Sequence, residues 1–568
     1  MKPWWEEWPG RLEAEIDSLE RIGAQLDARL IKDDAVQLHV RVPISNEKIA
    51  LVVYFPDTYP YTRFEVFAGD LDLPHHQNPI AKNLCLIGRS TRNWRVTDLS
   101  GELIAQQLPR VLEAGRTEDR DAGGAIEERQ AEPFGNYYWY SRDAMLLVDG
   151  GWRIDPNAQA GELAIHTAST TDFSKIRGAI LQVLDNRGTI LARGDERLRY
   201  GFPEKLKGAW VRVRAPIVTL QAEDFFRALV AEHPDLAKRP LKQLGHWHID
   251  VVGVLFPEET SWRETGEGWA FLVRVKDARD GKTAKVQTYL ARAGRAGKED
   301  LLSRIPELRT LSGRTIAVAG LGGIGAPSAI EFAKANVKEL RLMDFDVVDP
   351  GTAVRWPLGF SVSGLAKTEA LREFIENNYP YCSVKVWRNR IGVAPPQRPA
   401  GDLRVLEEFL TGVDLVYDAT AEVGLQYLLS DLAAERSIPY ICVSTNEGAW
   451  GGLVARIVPG KTGCWRCLQA RIDEGSIQLA PYDALGSIQP VGCGDPTFIG
   501  AGFDVTQIAL AGVRLAVSTL CDDQSDAYPR SEWDVEAISF RDSSGRLISP
   551  RWEVWRLQPI ESCSCARS

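Results

Sequence analysis

Cysteine is scarce in this chain, with nine in 568 residues, too few and too scattered for a disulfide scaffold. The odd count, with one CxxC (Cys464, Cys467) and one CxC (Cys563, Cys565), suits metal binding or thiol chemistry in a reducing compartment. Basic charge is also short. Lys and Arg number 67 against 77 Asp and Glu, a formal charge of −10 with both signs spread along the chain. That leaves no basic face for a phosphate backbone, so nucleic acid is excluded as the expected partner. Long hydrophobic runs are missing too: no stretch of 18 or more apolar residues occurs, and the opening MKPWWEEWPG carries acids where a signal peptide carries bases. The expectation is a soluble, cytoplasmic protein with no membrane partner.

The length exceeds what one core organises, so several domains are expected. Leu12, Ile16, Leu19, Ile22, Leu26 and Leu30 recur every three or four residues, which predicts one amphipathic helix through all of them. The runs at 34–43, 47–56 and 62–69 predict strands of an antiparallel meander, and 100–115 predicts a closing helix. A charged, Gly-containing stretch from about 116 marks a boundary. Residues 134–290 hold strand-like runs (210–220, 269–276) and the aromatic cluster 137–140. They show no motif with an attached chemistry and read as a spacer or dimer platform. From 314 onward strand and helix alternate, which predicts a parallel, doubly wound sheet.

The segment AGLGGIG (319–325) ends a strand and opens a helix, so Gly320, Gly322, Gly323 and Gly325 let backbone amides approach phosphates at the helix's positive end. A dehydrogenase shares this pattern, and Asp344 after the next strand holds a ribose hydroxyl in either case. Arg355 lies eleven residues beyond Asp344, Lys367 a further twelve, and Asp418 ends a later strand. Two cations and a carboxylate match the needs of carboxylate attack on the α-phosphate of ATP, with Mg²⁺ held by Asp418; hydride transfer has no such need. Asp346 either assists the metal or caps its loop. Cys464, Cys467, Cys563 and Cys565 form a four-thiolate set suited to Zn²⁺, or remain unliganded. Cys382, Cys442 and Cys521 sit among apolar neighbours and read as inert.

Residues 310–460 resemble the adenylation fold shared by ubiquitin-activating enzymes and bacterial sulfur-carrier activators. That resemblance assigns Gly320, Gly322, Asp344, Arg355, Lys367 and Asp418 to ATP and Mg²⁺, and it commonly includes a zinc site. Where the family has Asn-Arg-Gln, this chain has Val354, Arg355 and Trp356. GCGDPTF (492–498) is similar to the family's thioester-cysteine segment, which implies that Cys493 carries an acyl group. FPDTYPYTRFEVF (55–67), Asn78, Cys85 and Trp94 resemble the ubiquitin-conjugating fold. Cys85 is then the second thioester cysteine, with Asn78 as oxyanion donor or His76 in the assisting role. Together the halves resemble the activating and conjugating fusions of CBASS antiphage operons.

The resemblance implies an α/β multidomain chain: an α+β ubiquitin-conjugating-like domain (1–118), a middle linker domain (119–300) and a doubly wound, ThiF-type Rossmann-like adenylation domain (301–568). Its cofactors would be ATP, Mg²⁺ and Zn²⁺. Its partners would be a protein with a flexible C-terminal tail, in that family the cyclic-nucleotide synthase (CD-NTase), an amine-bearing target, and a second copy in a homodimer. A noncatalytic scaffold and an NAD-binding Rossmann enzyme are the alternatives from other classes.

Overall fold

The computed structural model describes residues 2–45, 47–87, 93–117, 130–169, 172–279, 285–392, 401–488, 497–522 and 526–566. The chain packs as two compact units. One comprises Met1–Val148, Trp152–Gly194 and Phe202–Arg295; the other comprises Asp149–Gly151, Asp195–Gly201 and Ala296–Ser568.

The first unit begins with a four-stranded antiparallel meander of Gln25–Lys32, Ala35–Ile44, Glu47–Pro56 and Glu65–Phe67. Val36, Leu38, Val40 and Val42 pair with Phe55, Val53, Leu51 and Ile49. All eight are buried, so one face of the pleat becomes core. Helices Pro9–Arg21 and Ser100–Arg116 cover that face. They approach so closely that a Cβ on Gly101 would sit 2.2 Å from the Ser18 carbonyl oxygen. Glu15, fully buried, accepts the Ser100 N–H at 2.7 Å and thereby satisfies an otherwise orphaned donor at that helix start.

The expected long first helix is corrected here, because Leu26 and Leu30 lie in the strand Gln25–Lys32. Gly23, at φ 80°, ends the helix at Arg21, and the Ala24 N–H closes back on the Leu19 carbonyl at 3.1 Å. The spacing that mimicked a helical stripe spans this break.

The middle segment is a nine-stranded sheet running through Trp247–Ser261, Glu264–Asp277, Gln287–Arg295, Met145–Val148, Arg177–Asp185, Ala160–Thr167 and Glu204–Arg212. It closes on itself because Glu204–Arg212 pairs in parallel with Trp247–Ser261. Trp210, Val251, Phe271 and Val273 belong to one cluster, and their alternating neighbours Val211, Val252, Val254 and Leu272 pack with Phe225 and Tyr138 in a second. Closure pairs these seven strands on both sides, and Lys242–Leu244 and Ile190–Arg193 add as single-sided strands to Trp247–Ser261 and Arg177–Asp185. The predicted strand at 210–220 stops at Arg212.

In the second unit, eight strands run in the order Ser383–Trp387, Glu339–Met343, Thr315–Ala319, Leu415–Asp418, Tyr440–Thr445, Gly451–Ile457, Val535–Arg541 and Leu547–Trp555. The first five are parallel and the rest antiparallel. The chain turns one way from Thr315–Ala319 to Glu339–Met343 and the other way to Leu415–Asp418. This reversal is the switch point at which such sheets bind ligands. Among the described residues one helix, Gly502–Leu520, is long and apolar enough to cross a membrane. Its face carrying Val505, Ile508, Ala516 and Leu520 is buried in the domain core.

Candidate active site

The glycine loop sits at the end of Thr315–Ala319, at the start of the helix Gly325–Lys334. Gly320 has φ 80°, and a Cβ there would meet the Ala419 oxygen at 2.7 Å. A Cβ on Gly325 would meet the Gly320 oxygen at 1.8 Å, whereas nothing lies within 4 Å of one on Gly322. Two glycines therefore let the backbone turn, and the third leaves room for a ligand against the helix N-terminus.

Two side chains clamp the intervening peptide. Asp344 accepts the Leu321 N–H at 2.6 Å through Oδ2 and the Asp346 N–H at 2.8 Å through Oδ1. On the opposite side of that residue the buried indole of Trp356 donates to the Leu321 carbonyl at 2.8 Å. Trp356 is thus a structural element of the loop that sequence reasoning treated only as a departure from a pattern. A buried tryptophan needs a partner for its N–H, and this was the one available signal.

Arg355 lies beside the loop: a Cβ on Gly323 would be 3.4 Å from its Cδ. Its guanidinium donates to Thr497 Oγ1 at 2.5 Å, and burial holds its pKa below the usual arginine value. Lys367 begins the helix Lys367–Asn378 and pairs with Asp346 Oδ2 at 2.6 Å. Asp418 is fully buried, accepting the Thr420 N–H and hydroxyl at 2.9 and 2.7 Å and the Tyr440 hydroxyl at 2.7 Å. Burial raises its pKa against those hydrogen bonds. Both oxygens of each carboxylate are engaged, those of Asp346 by the Val347 N–H at 2.9 Å and by Lys367 and those of Asp418 by Thr420 and Tyr440, so access separates them as Mg²⁺ ligands: Asp346 is 46% exposed and Asp418 is fully buried. The structure thus gathers Gly320, Gly322, Gly323, Gly325, Asp344, Asp346, Arg355, Lys367 and Asp418 along one end of the parallel sheet.

The four thiols of the second unit converge. Cys464 Sγ lies 3.8 Å from Cys467 and 3.5 Å from Cys563, and Cys467 lies 3.4 Å from Cys565. All four sulfurs fall within 4.8 Å of one another. Tetrahedral zinc with bonds of about 2.3 Å spaces its sulfurs by about 3.8 Å, so the donor set fits that ion. Cys467 also accepts the Ile560 N–H at 3.4 Å, a neutralising contact for a thiolate. Trp465, between the first two ligands, packs edge-on against Tyr440 at 6.1 Å, which joins this centre to Asp418. Cys382, Cys442 and Cys521 are buried. Cys493 lies outside the described residues; Thr497, the residue that meets Arg355, follows it by four positions.

In the first unit Cys85 is exposed. A bridge between Gln77 and Leu84, with the Cys85 N–H on the His76 carbonyl at 2.8 Å, sets His76 opposite Cys85. Asn78 accepts the Ile80 and Ala81 N–H groups at 2.9 Å each, so its carbonyl oxygen staples the loop. Gln77 is buried, donating to the Ala68 carbonyl at 2.9 Å. His76 has φ 62°, a conformation few non-glycine residues adopt. Glu132 holds it there: one carboxylate oxygen accepts the His76 N–H at 2.9 Å, and the other faces ring Nδ1 at 3.2 Å. Tyr137 donates to Glu132 at 3.3 Å. Burial pushes the Glu132 carboxyl up, but the hydrogen bonds and charge of His76 outweigh it and leave the pKa below the ordinary value. Tyr137 is driven well above the phenol range by burial and then by the Glu132 charge, with smaller contributions that include Cys85. Neither Glu132 nor Tyr137 was singled out from sequence, since 56 residues separate Glu132 from His76.

With this geometry the chain can be placed among known proteins. It matches the ThiF family over residues 292–521 and the prokaryotic E2 family B over residues 24–147. It is a bacterial fusion of an activating domain with an E2-type domain, and an ATP-dependent enzyme of the ubiquitin-activating type. It belongs to the same family as the uncharacterized protein y4oA of Sinorhizobium fredii, to which it is 30% identical over all of this chain and 98% of that one. The uncharacterized protein y4qC of the same species is 30% identical over 91% of this chain and 89% of its own. The SAMP-activating enzyme E1 of Haloferax volcanii is 30% identical over 28% of this chain and 54% of that protein.

Proposed function

We propose that the chain activates the C-terminal carboxylate of a partner protein and conjugates it to an amine through two successive thioesters. The observation that supports this reading is Leu321, held through its N–H by Asp344 and through its carbonyl by Trp356 at the sheet's switch point, in a chain whose match to the prokaryotic E2 family B, residues 24–147, contains an exposed cysteine.

The partner's carboxylate oxygen attacks the α-phosphorus of ATP, the bond to the β-phosphate breaks, and pyrophosphate leaves an acyl-adenylate. The glycine-loop amides bind phosphate, Asp344 takes a ribose hydroxyl, and Arg355 and Lys367 offset charge developing on the triphosphate. Lys367 is presented to the phosphates from its pair with Asp346. Mg²⁺ supplies further neutralisation when bound, with Asp346 and Asp418 as the carboxylates that would hold it. The Cys493 thiolate then attacks the acyl carbon and AMP departs. Cys85 takes the acyl group by thioester exchange, freeing Cys493, and an amine nitrogen attacks the second thioester, loses its proton and frees Cys85. Asn78 steadies the loop below Cys85 through its carbonyl oxygen, and its amide is the oxyanion donor. Zn²⁺ on the four thiols is structural.

The partner is the CD-NTase of a CBASS antiphage system, and the chain works as a homodimer. A second reading keeps the chemistry and attaches a dedicated ubiquitin-like modifier; the likeness to an enzyme named for SAMP activation favours it. The test is trapping with ATP and Mg²⁺ on nonreducing gels, with a CD-NTase in one arm and a ubiquitin-like protein in the other. Cys493→Ala is expected to abolish every thioester, while Cys85→Ala retains one and forms no amide. Equal thioester yield from Cys493→Ala refutes the order of transfer.

A further inference from the structure

We propose that His76 is the proton acceptor for the Cys85 thiol and that Glu132, which lies beyond the first core, is the residue that positions it. This rests on the reading of Cys85 as an acyl carrier and adds the means by which its thiol is made reactive.

Only the thiolate attacks a thioester, so a carrier cysteine needs a group that takes its proton. An adjacent general base is the usual remedy. His76 occupies that position, and its backbone is locked on both sides. Its carbonyl takes the Cys85 N–H at 2.8 Å and its own N–H reaches Glu132 at 2.9 Å. The second Glu132 oxygen, 3.2 Å from Nδ1, fixes the tautomer with its proton on Nδ1 and the lone pair on Nε2. This is the base-and-orienter arrangement of nucleophilic enzymes built on a cysteine. The positive φ of His76 fits the same account, because strain of this kind persists where surrounding contacts impose it.

The carboxylate is itself held in place. The Tyr137 hydroxyl donates to it at 3.3 Å, and the Glu132 backbone N–H donates to Glu259 at 2.9 Å. Among the described residues, His75 lies 3.7 Å from Glu259 and the Arg263 backbone N–H also binds Glu259. Glu132 carries negative charge at neutral pH, its pKa lying below the ordinary carboxylate value. The step balances: the Cys85 S–H bond breaks and its proton passes to Nε2, the sulfur electron pair forms the new S–C bond, the Cys493 S–C bond breaks, and Nε2 returns the proton to the departing Cys493 sulfur. On aminolysis the amine's proton leaves through the same nitrogen.

The test is alkylation of Cys85 in the full-length protein by iodoacetamide across pH 5.5–9.5, read by mass spectrometry of the Cys85 peptide. It needs neither ATP nor a partner, so its outcome is separate from that of the relay. Glu132→Gln is expected to slow the reaction at pH 7 roughly tenfold, a fraction of a typical acid–base contribution, with the high-pH plateau unchanged. Glu132→Asp recovers most of the rate. His76→Ala shows the same loss, and the double variant is no slower than His76→Ala, because Glu132 acts only through the ring. An unchanged rate at pH 7 in Glu132→Gln, a loss equal at every pH, or a further loss in the double variant overturns the proposal.

Discussion

Replacing Trp356 by Phe removes a hydrogen bond that holds the nucleotide loop. A six-membered aromatic ring remains, while the N–H that reaches the Leu321 carbonyl at 2.8 Å is lost together with the five-membered ring that carries it. Trp356 is 3% exposed, so water is poorly placed to substitute, and an unsatisfied buried carbonyl costs about 1–3 kcal/mol. The preceding peptide is still gripped by Asp344 at the Leu321 N–H, so the loop pivots on that bond and the amides beyond it lose their aim at phosphate. If the cost falls on the ligand-ready conformation, ATP binding weakens by about five- to a hundredfold, since each 1.4 kcal/mol is about tenfold. Isothermal titration calorimetry with ATP and Mg²⁺, on protein whose circular dichroism matches wild type, measures this directly. A dissociation constant within twofold of wild type refutes the claim that Trp356 holds the loop.

Gly325→Ala is a harsher change at the same loop. Its Cβ would sit 1.8 Å from the Gly320 oxygen, so ATP binding by the same calorimetry should disappear while the E2-type unit keeps its fold. For the thiol centre, Cys464→Ser or removal of metal by a chelator should lower the melting temperature of the second unit. The purified chain should carry about one zinc per protein by elemental analysis, and a metal-free protein of unchanged stability would contradict a structural role. Thiol reactivity should follow burial. The Cys382 thiol is pushed up to about 12 by burial, so its neutral form persists through pH 9 and it should resist iodoacetamide until unfolding, while exposed Cys85 reacts.

Much of this was legible in the sequence, for identifiable reasons. The shared buried face of Val36, Leu38, Val40 and Val42 with Ile49, Leu51, Val53 and Phe55 follows from strict alternation, and the glycine loop from close-approach demands that only glycine meets. The convergence of Cys464 and Cys467 with Cys563 and Cys565 follows from ligand chemistry. The strand Gln25–Lys32 was hidden because its leucines continue a helical spacing across Gly23. The closed middle sheet was illegible because its parallel closure of Glu204–Arg212 on Trp247–Ser261 leaves no local signature. Trp356, Glu132 and Tyr137 act through single bonds to residues distant in sequence, which no periodicity encodes.

The central claim is carboxyl activation by ATP ahead of sulfur transfer, and pyrophosphate exchange tests it most directly. Wild type, Cys493→Ala and Cys85→Ala should each return labelled pyrophosphate to ATP when a CD-NTase or a ubiquitin-like protein with a free C-terminus is supplied. The nucleotide product of the forward reaction should be AMP. Exchange absent from all three proteins with both partners, or ADP as the product, contradicts the account.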